Sequence, residues 1–320
     1  MVPSVIPESY LEHFKTSLID RKRTKRPMYL TASPESSLKK LLTAGVGNCF
    51  EITKSFRNSD TDSNLHNPEF SILEWYRVHA DYFSLMDDCE NLIQYIFNTL
   101  HPDDKTNILT YQNKKIDLSP PWIRLTMEKA FKRYAGISIK ETINTNSNNL
   151  RSCFDLTCIA PIATQKGYRV ENDSTWESVF NQIFLNEVEP HIASETKPVI
   201  LYDYPKPMAA LAKVKNDDPA IAQRMEFYIG GLELGDGYTE LTDPAEQKKR
   251  FLTDLRLIRK AKKTMVKPDD DFIEALRMGL PPCAGIAIGL DRLAMLFTNS
   301  DKIQDILWFP YESEKGSLKQ

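Results

Sequence analysis

The sequence SFRNSDTDSNLHNPEFSILEWYR at residues 55–77 decides the fold assignment. Apolar and polar residues alternate on both sides of a polar centre, which predicts one strand over residues 46–58 and another over residues 69–78. The connection at residues 59–68 is long and polar, and connections of this kind often carry functional residues. The stretch therefore predicts a pair of strands whose joining loop is a candidate site.

A second group of strands is predicted late in the chain. Residues 199–205 and 283–290 are largely apolar, and residues 224–241 are typical of two strands that turn at Gly230 and Gly231. Successive strands are separated by turns and can pair as hairpins. We therefore predict an α+β fold in which a mainly antiparallel sheet is flanked by helices, not a doubly wound parallel sheet.

Helices are predicted from their apolar faces and their end signals. The first has Ser33 as its N-cap and Pro34 in its first turn, and Gly45 ends it. Two more helices are predicted over residues 83–99 and residues 270–278.

The predicted domain organisation is one large domain at residues 28–312 with a mostly helical insertion around residues 102–195. Residues 1–27 are predicted to be a loop or an N-terminal remnant, and residues 313–320 a tail. The basic run RKRTKRP at residues 21–27 is either a nucleic-acid patch or a solvated loop.

Composition excludes several classes of protein. With 41 Lys and Arg against 44 Asp and Glu in 320 residues, the net charge of −3 gives no global attraction to nucleic acid. The five cysteines lack the CxxC spacing of zinc sites, and the five histidines include no HxxxH or HExxH pair, so zinc and triad chemistries are disfavoured. We find neither a bilayer-spanning apolar run nor a signal-peptide pattern, so we expect a cytoplasmic protein with reduced thiols.

The predicted hairpin offers a candidate nucleotide site. Arg57 follows the first strand, and Asn67 and Phe70 lie where the loop returns. The planar guanidinium of arginine suits a phosphate, and an aromatic ring can stack on a base. The alternative is a solvated arginine beside a phenylalanine of the core.

A second candidate site lies in the late strands, where Glu233 and Glu240 are seven residues apart. This odd spacing places them on opposite faces of an unbroken strand, but Gly235 and Gly237 permit a bulge that would bring both to one face. Two carboxylates together with phosphate oxygens are a common way to hold Mg²⁺. The alternative is a pair of exposed glutamates.

Two helix starts carry further charged groups. In GIAIGLDRL at residues 285–293, Arg292 could reach a phosphate at a helix N-terminus, whereas Asp291 could be only a cap. Ser33, Pro34 and Glu35 form another helix start, where the carboxylate could bind a ligand or only complement the helix dipole.

Together these segments resemble the catalytic core of class II lysyl-tRNA synthetases. Residues 55–77 are similar to motif 2 of that family, residues 281–310 to motif 3, and residues 230–251 to the segment before motif 3. The resemblance extends over residues 25–310 and implies an ATP-dependent, adenylate-forming ligase that uses Mg²⁺.

The resemblance is strongest to the stand-alone cores of the elongation factor P–(R)-β-lysine ligase type. Motif 2 begins near residue 50, so we expect no anticodon-binding domain and no anticodon recognition. Ala287 replaces a glycine that is usual in the synthetases. The implied substrate is (R)-β-lysine or lysine, and the implied acceptor is a lysine side chain of elongation factor P.

The resemblance also implies roles for individual residues. Arg57 would hold the α-phosphate and Arg292 the γ-phosphate, both as catalytic residues, and Phe70 would stack on adenine. The implied ATP-binding residues are Arg57, Asn58, Ser59, Asp60, Asn67, Phe70, Glu233, Leu234, Gly289 and Arg292. The implied substrate-binding residues are Ser33, Pro34, Glu35, Glu74, Tyr76, Asp236, Glu240 and Ala287. Glu233 and Glu240 are the implied Mg²⁺ ligands.

Three departures from the family pattern bear on these expectations. The family's motif 1 is not found, so either an N-terminal piece is lacking or a family-like homodimer is compromised. The motif 2 loop reads RNSD where the family has RNE, with Asp60 in place of the glutamate. Asp236 stands where asparagine is usual and would repel a substrate carboxylate.

Two alternative functions therefore stay open. One is a truncated lysyl-tRNA synthetase-like enzyme that charges another acceptor with lysine. The other is a non-catalytic regulatory paralogue. Four charged residues (Arg57, Glu233, Glu240 and Arg292) favour an enzyme over a mere binding protein, whereas the missing motif 1 favours the paralogue.

Overall fold

The structure is a computed structural model that describes residues 1–59, 61, 63–143 and 154–311. In chain order the strands are β1 (Lys15–Ile19), β2 (Lys25–Tyr29), β3 (Cys49–Phe56), β4 (Glu69–Val78), β5 (Ile108–Tyr111), β6 (Lys114–Asp117), β7 (Ile123–Thr126), β8 (Val199–Pro205), β9 (Ile221–Ile229), β10 (Leu232–Thr239) and β11 (Cys283–Gly289). The α-helices are α1 (Glu35–Thr43), α2 (Tyr82–Leu100), α3 (Met127–Ala130), α4 (Leu156–Gln165), α5 (Trp176–Ile183), α6 (Glu189–Ser194), α7 (Pro244–Lys260), α8 (Asp270–Gly279) and α9 (Leu290–Thr298). The α+β prediction is confirmed.

The chain forms two compact units. The first consists of Met1–Asp81 and Glu240–Gln320, and the second of Tyr82–Thr239. None of the helices in the described part of the chain is both long and apolar enough to cross a bilayer.

The first unit is built on three antiparallel strands in the order β3-β4-β11. The predicted boundaries of β4, residues 69–78, match the structure because its side chains alternate between the two faces of the sheet. The register sets Gly285 opposite Tyr76, and Ala287 opposite Glu74. Strand β4 thus carries candidate site residues directly beside those of β11.

The second unit contains four strands in the order β10-β9-β8-β7, together with the β5–β6 hairpin. The pair β7–β8 is parallel, and the other two pairs of the four-stranded group are antiparallel. The register of β9 with β10 shifts between Glu233 and Gly235, so the bulge expected from the glycines is present. Helices α3 and α5 each continue into a π-helical turn.

Two local expectations differ from the structure. Residues 1–27 were expected to be irregular, but β1 and most of β2 form a hairpin there. Its exposed side chains include the apolar Leu18 and Ile19 as well as cations, so no alternation of buried apolar and exposed polar residues marks the strands. Helix α1 begins one residue later than predicted: Pro34 occupies the N-cap position, and the Ser33 hydroxyl accepts a hydrogen bond from the Glu35 N–H at 3.2 Å.

Candidate active site

A buried lysine lies at the centre of the candidate site in the first unit. The Lys39 ammonium is 2.5 Å from a carboxylate oxygen of Glu35 and also forms an ion pair with Glu240. Glu35 and Lys39 are four residues apart on α1 and so share one face of the helix. Glu240 is held by its N–H, which donates to the Cys283 carbonyl at 2.9 Å. One ammonium thus joins two carboxylates that the sequence had assigned to substrate binding.

The protonation of Lys39 follows from these neighbours. Burial disfavours the ammonium, but Glu240 and Glu35 outweigh it and raise the Lys39 pKa above its ordinary value. The sequence reasoning missed Lys39. The available signal was the spacing of four residues from Glu35, which is typical of helical ion pairs.

Glu74 and Tyr76 form the wall of the site on β4. The Tyr76 hydroxyl donates to Glu74 Oε1 at 2.5 Å, whereas the buried Glu74 Oε2 has no hydrogen-bond partner among the described residues. Burial, with a contribution from Glu35, raises the Glu74 pKa well above its ordinary value. A cation bound beside Oε2 would favour the ionised carboxylate.

Gly285 on β11 allows these groups to approach one another. A Cβ atom at this position would collide with the Tyr76 ring and lie 2.6 Å from Glu240 Oε1. By contrast, a Cβ atom at Gly289 would meet no atom of the described residues within 4 Å. Protein packing therefore requires a glycine at 285, while the space beside Gly289 is open to a ligand.

The N-terminal segment adds a carboxylate that the sequence reasoning missed. Burial raises the Glu8 pKa from 4.5 to about 7, opposed by a hydrogen bond from Tyr10, and the nearby Glu35 raises it further while Arg57 lowers it. The segment is fixed because the Asn58 N–H donates to the Glu12 carbonyl at 2.8 Å. Glu8 thus interacts electrostatically with Glu35, a predicted amino-acid-binding residue, and with Arg57, a predicted ATP-binding residue.

Arg57 and Phe70 come together as predicted for neighbouring strand ends. The Arg57 guanidinium carbon is 5.1 Å from the centroid of the Phe70 ring. Its backbone N–H donates to the Pro68 carbonyl at 2.9 Å, and its buried Nε has no hydrogen-bond partner among the residues described. The arrangement is a cation–π pair that holds the guanidinium beside the aromatic face.

Arg292 holds the returning part of the loop between β3 and β4. Its Nε donates to the Leu65 carbonyl at 3.2 Å, and its Nη2 is 2.7 Å from His66 Nε2. Asp291 is not the N-cap of α9, because Gly289 occupies that position. The Asp291 carboxylate instead accepts the Ser71 N–H at 2.7 Å and ties α9 to β4.

The remaining loop residues have mainly local bonds. The buried Asn67 donates to the Glu69 carbonyl at 2.6 Å and accepts the Tyr311 N–H at 2.9 Å. Ser59 has a φ of 72°, and its N–H donates to the Asn58 side chain. Asp60 lies outside the described residues, so the expectation for the altered loop stays a prediction.

Three predicted site residues belong to the second unit. Glu233 is exposed and Leu234 is buried. Arg224, which the sequence reasoning missed, binds both carboxylate oxygens of Asp236 at 3.0 and 2.8 Å. Burial raises the Asp236 pKa to about 7, against the lowering effect of Arg224. The same guanidinium also pairs with Glu226 at 2.7 Å, so it is shared by two carboxylates, and the expected repulsion of a substrate carboxylate by Asp236 stays a prediction.

Of the two predicted Mg²⁺ ligands, Glu233 and Glu240, the surroundings favour only Glu233. Across the described residues, no group of three His, Cys, Asp or Glu side chains is arranged to hold a metal. Glu233 is exposed and has the right chemistry for a cation, but Lys39 already neutralises Glu240. Glu240 therefore fits the amino-acid side of the site better than it fits a magnesium ligand.

Comparison with known proteins agrees with the geometry. The family model described as tRNA synthetases class II (D, K and N) matches residues 4–313. A lysine–tRNA ligase from Chloroflexus aurantiacus is 35% identical over 289 residues, which are 90% of this chain and 55% of that protein. A lysine–tRNA ligase from Moorella thermoacetica is 35% identical over 88% of this chain and 54% of its own length. The chain thus spans about half the length of these two relatives.

A relative that is named for a different activity is matched over more of its length. The elongation factor P–(R)-β-lysine ligase of Hamiltonella defensa is 34% identical over 313 residues, which are 98% of this chain and 86% of that protein. The family match, over residues 4–313, covers the strands and helices that carry the candidate site residues. The chain belongs to the class II tRNA synthetase family of the D, K and N type.

Proposed function

We propose that the protein activates a lysine-type amino acid as its adenylate, using ATP, and transfers it to an amine. The observation that carries this proposal is the charge balance around Lys39. Glu35, Glu74 and Glu240 are all buried, and Lys39 is the buried ammonium among them. Burial beside Glu35 raises the Glu74 pKa and keeps its carboxyl protonated to higher pH than usual, and a cationic ligand would favour its ionised form in this low-dielectric site.

Glu74 is the group in this cluster best suited to receive the substrate amine. Its Oε2 is buried without a hydrogen-bond partner among the described residues, which typically costs about 1–3 kcal/mol. An ammonium group of the substrate would satisfy this oxygen and make the ionised form favourable. Ala287, opposite Glu74, is partly exposed and would line the same pocket.

Arg57, Phe70 and Arg292 support the nucleotide half of the proposal. Phe70 offers a ring for stacking against adenine, and the two guanidinium groups would stabilise the negative charge of the phosphates. The substrate carboxylate attacks the α-phosphorus in line, and pyrophosphate leaves. Positioning and electrostatics account for most of the catalysis in such reactions. Mg²⁺, when bound, would neutralise triphosphate charge, with Glu233 as its candidate protein ligand.

The finer proposal is that (R)-β-lysine is the amino acid and a lysine side chain of elongation factor P is the acceptor. The amine of that side chain attacks the carbonyl carbon of the adenylate, an amide forms, and AMP and a proton leave. Support comes from the Hamiltonella defensa relative, which is matched over 86% of its length. Ala287 adds a methyl group to the proposed pocket, and this would give modest discrimination between substrates.

ATP–pyrophosphate exchange tests the first step. We expect exchange with (R)-β-lysine that exceeds exchange with α-lysine, and only background without an amino acid. No exchange with either amino acid would rule out the enzyme and favour a regulatory paralogue. Intact mass spectrometry of elongation factor P, incubated with the protein, ATP and (R)-β-lysine, tests the acceptor.

Lysine transfer to tRNA is the second candidate function. It is favoured by the two lysine–tRNA ligases, whose identity of 35% is close to the 34% of the ligase relative. Charging of tRNA with radiolabelled α-lysine, together with unmodified elongation factor P, would establish this candidate in place of the first.

A further inference from the structure

The β1–β2 hairpin concentrates positive charge on an exposed element. Six basic side chains occur between residues 15 and 26, and all of residues 21–27 are exposed. They are Lys15, Arg21, Lys22, Arg23, Lys25 and Arg26. Asp20 is the acidic residue of this stretch, and its carboxylate accepts the backbone N–H groups of Lys22 and Thr24, both at 2.9 Å. The aspartate therefore closes the turn, and the charge of the hairpin stays strongly positive.

A second basic element lies beside the hairpin. Exposed basic side chains lie on the last turns of α7 and just beyond it: Arg256, Arg259, Lys260 and Lys262. Tyr29 of β2 and Ile258 of α7 belong to one buried cluster with Val5 and Val266. The Lys267 N–H also donates to the Tyr29 hydroxyl at 3.1 Å. These contacts join the two elements, and we call their ten exposed cations the basic surface.

No carboxylate of the described residues neutralises the basic surface. None of its ten side chains takes part in an ion pair within the described ranges, although Lys40 and Lys54 of the same unit do. The whole chain has a net charge of −3, so this surface is a local exception to an acidic protein. Unpaired like charges repel one another, and a polyanionic partner would relieve that repulsion.

We propose that the basic surface binds the phosphate backbone of a nucleic acid. A nucleic acid presents a regular row of negative charges, which matches a group of cations whose one interspersed carboxylate, Asp20, is engaged by the backbone of the turn. Hydroxyl groups of Thr16, Ser17 and Thr24 lie among the cations and can donate to phosphate oxygens. The five residues of each strand reach about 16 Å, which is enough to contact several phosphates.

An acidic protein surface is the competing partner. The hairpin exposes the apolar Leu18 and Ile19, which a protein partner would cover, but it has no exposed aromatic anchor. Protein interfaces are usually anchored by aromatic side chains that become buried at the centre. Residues 15–27 contain no aromatic residue. Of the ten cations, Arg21, Arg23, Arg26, Arg256 and Arg259 are arginines. The arginine guanidinium matches the geometry of phosphate oxygens.

Fluorescence anisotropy with a labelled 20-base-pair RNA duplex, and with single-stranded polyuridylate, tests the proposal on the full chain. Neutralising several phosphates should weaken binding at least about tenfold between 50 and 200 mM KCl. The triple variant Arg21→Glu, Arg23→Glu, Lys25→Glu should weaken binding at least about tenfold at 50 mM KCl. The variant Lys115→Glu, Lys132→Glu, Lys140→Glu is a control with the same change of charge at exposed positions of the second unit.

An independent triple variant, Arg259→Glu, Lys260→Glu, Lys262→Glu, should weaken binding in the same way, while circular dichroism and ATP–pyrophosphate exchange stay at the starting level. Absence of binding to both RNA probes at 50 mM KCl overturns the proposal. An equal loss in the control variant also overturns it, because binding would then follow net charge alone. Binding of elongation factor P that depends on the hairpin, without RNA binding, would assign the surface to a protein partner instead.

Discussion

The Lys39 ammonium and the Glu240 carboxylate form an ion pair whose side chains are 1% and 0% exposed. Removal of one partner from such a pair leaves a buried charge uncompensated, and this usually costs more than the pair contributed. The pair therefore connects the stability of the first unit to the shape of the proposed amino-acid pocket.

Lys39→Met should lower the free energy of unfolding by about 3–5 kcal/mol, because Glu240 and Glu35 lose their shared cation. Urea denaturation followed by circular dichroism measures the change. Lys40→Met is the matched control. Lys40 is 34% exposed, and its partner Asp269 is buried but keeps hydrogen bonds from the Ser36 hydroxyl and the Phe272 N–H, so the loss should be smaller, about 1–2 kcal/mol. Equal losses in the two variants would show that burial of the Lys39 pair has no special role.

Glu74→Gln should raise the KM for the amino acid about 10- to 100-fold, since a hydrogen bond between charged groups becomes a neutral one. The KM for ATP should change less than about twofold because Glu74 lies outside the proposed nucleotide contacts. Exchange kinetics at varied amino-acid concentration give both values. Glu274→Gln, an exposed change on α8, should have no effect.

Glu74 should also make the KM for the amino acid depend on pH. The Glu74 pKa is raised well above its ordinary value by burial, so in the free protein the carboxyl holds a proton to higher pH than usual. Binding of an ammonium should then release a proton, and the wild-type KM should fall as pH rises. A flat profile in Glu74→Gln would agree with this assignment, and an unchanged profile would place the titrating group elsewhere.

Glu8→Gln should remove a pH-dependent loss of stability. Since the Glu8 pKa is raised from 4.5 to about 7, the folded protein keeps a proton that the unfolded chain loses between these values. Stability is therefore present below pH 4.5 and is lost as pH rises toward 7. The shift corresponds to about 3 kcal/mol at most, and partial solvent exposure reduces this to about 1 kcal/mol.

At pH 8 the variant should therefore unfold at a higher urea concentration than the wild-type protein, and at pH 4 the two should coincide. A difference of the same size at both pH values would mean that Glu8 acts through packing and not through its proton.

The fold was predictable where the sequence pattern is local. Strand β4 alternates cleanly between the two faces of the sheet, and its bounds were predicted correctly. The β1–β2 hairpin was missed because most of its side chains, apolar and charged alike, are exposed, so its sequence has no alternation between a buried and an exposed face. Alternation of apolar and polar residues cannot indicate a strand that buries few side chains.

Proximity in the site was predictable only for residues that lie within one continuous motif. Arg57 and Phe70 lie within one hairpin, so their proximity followed from the strand pairing. Lys39 and Glu240 are neighbours only because the fold brings α1 to the start of the segment before α7. The influence of Glu35 on the Glu8 pKa likewise depends on the tertiary structure, and no spacing rule indicates it. Residues that complete a site through long-range packing stay invisible to sequence periodicity.

Alanine substitutions at Gly285 and Gly289, both on β11, should distinguish an effect on packing from an effect on ligand binding. Gly285→Ala should cost about 1–3 kcal/mol of stability, because the new methyl group meets the Tyr76 ring and lies 2.6 Å from Glu240 Oε1. Gly289→Ala should change stability by less than about 0.5 kcal/mol, since its φ is −72° and a Cβ atom would meet none of the residues that the structure describes within 4 Å.

If ATP occupies the open space beside Gly289, the alanine there should raise the KM for ATP although the fold is unaffected. Urea denaturation and exchange kinetics on both variants measure the two effects. A normal KM for ATP in Gly289→Ala would place the nucleotide away from the end of β11, and would leave Arg57 and Phe70 as the features that define its position.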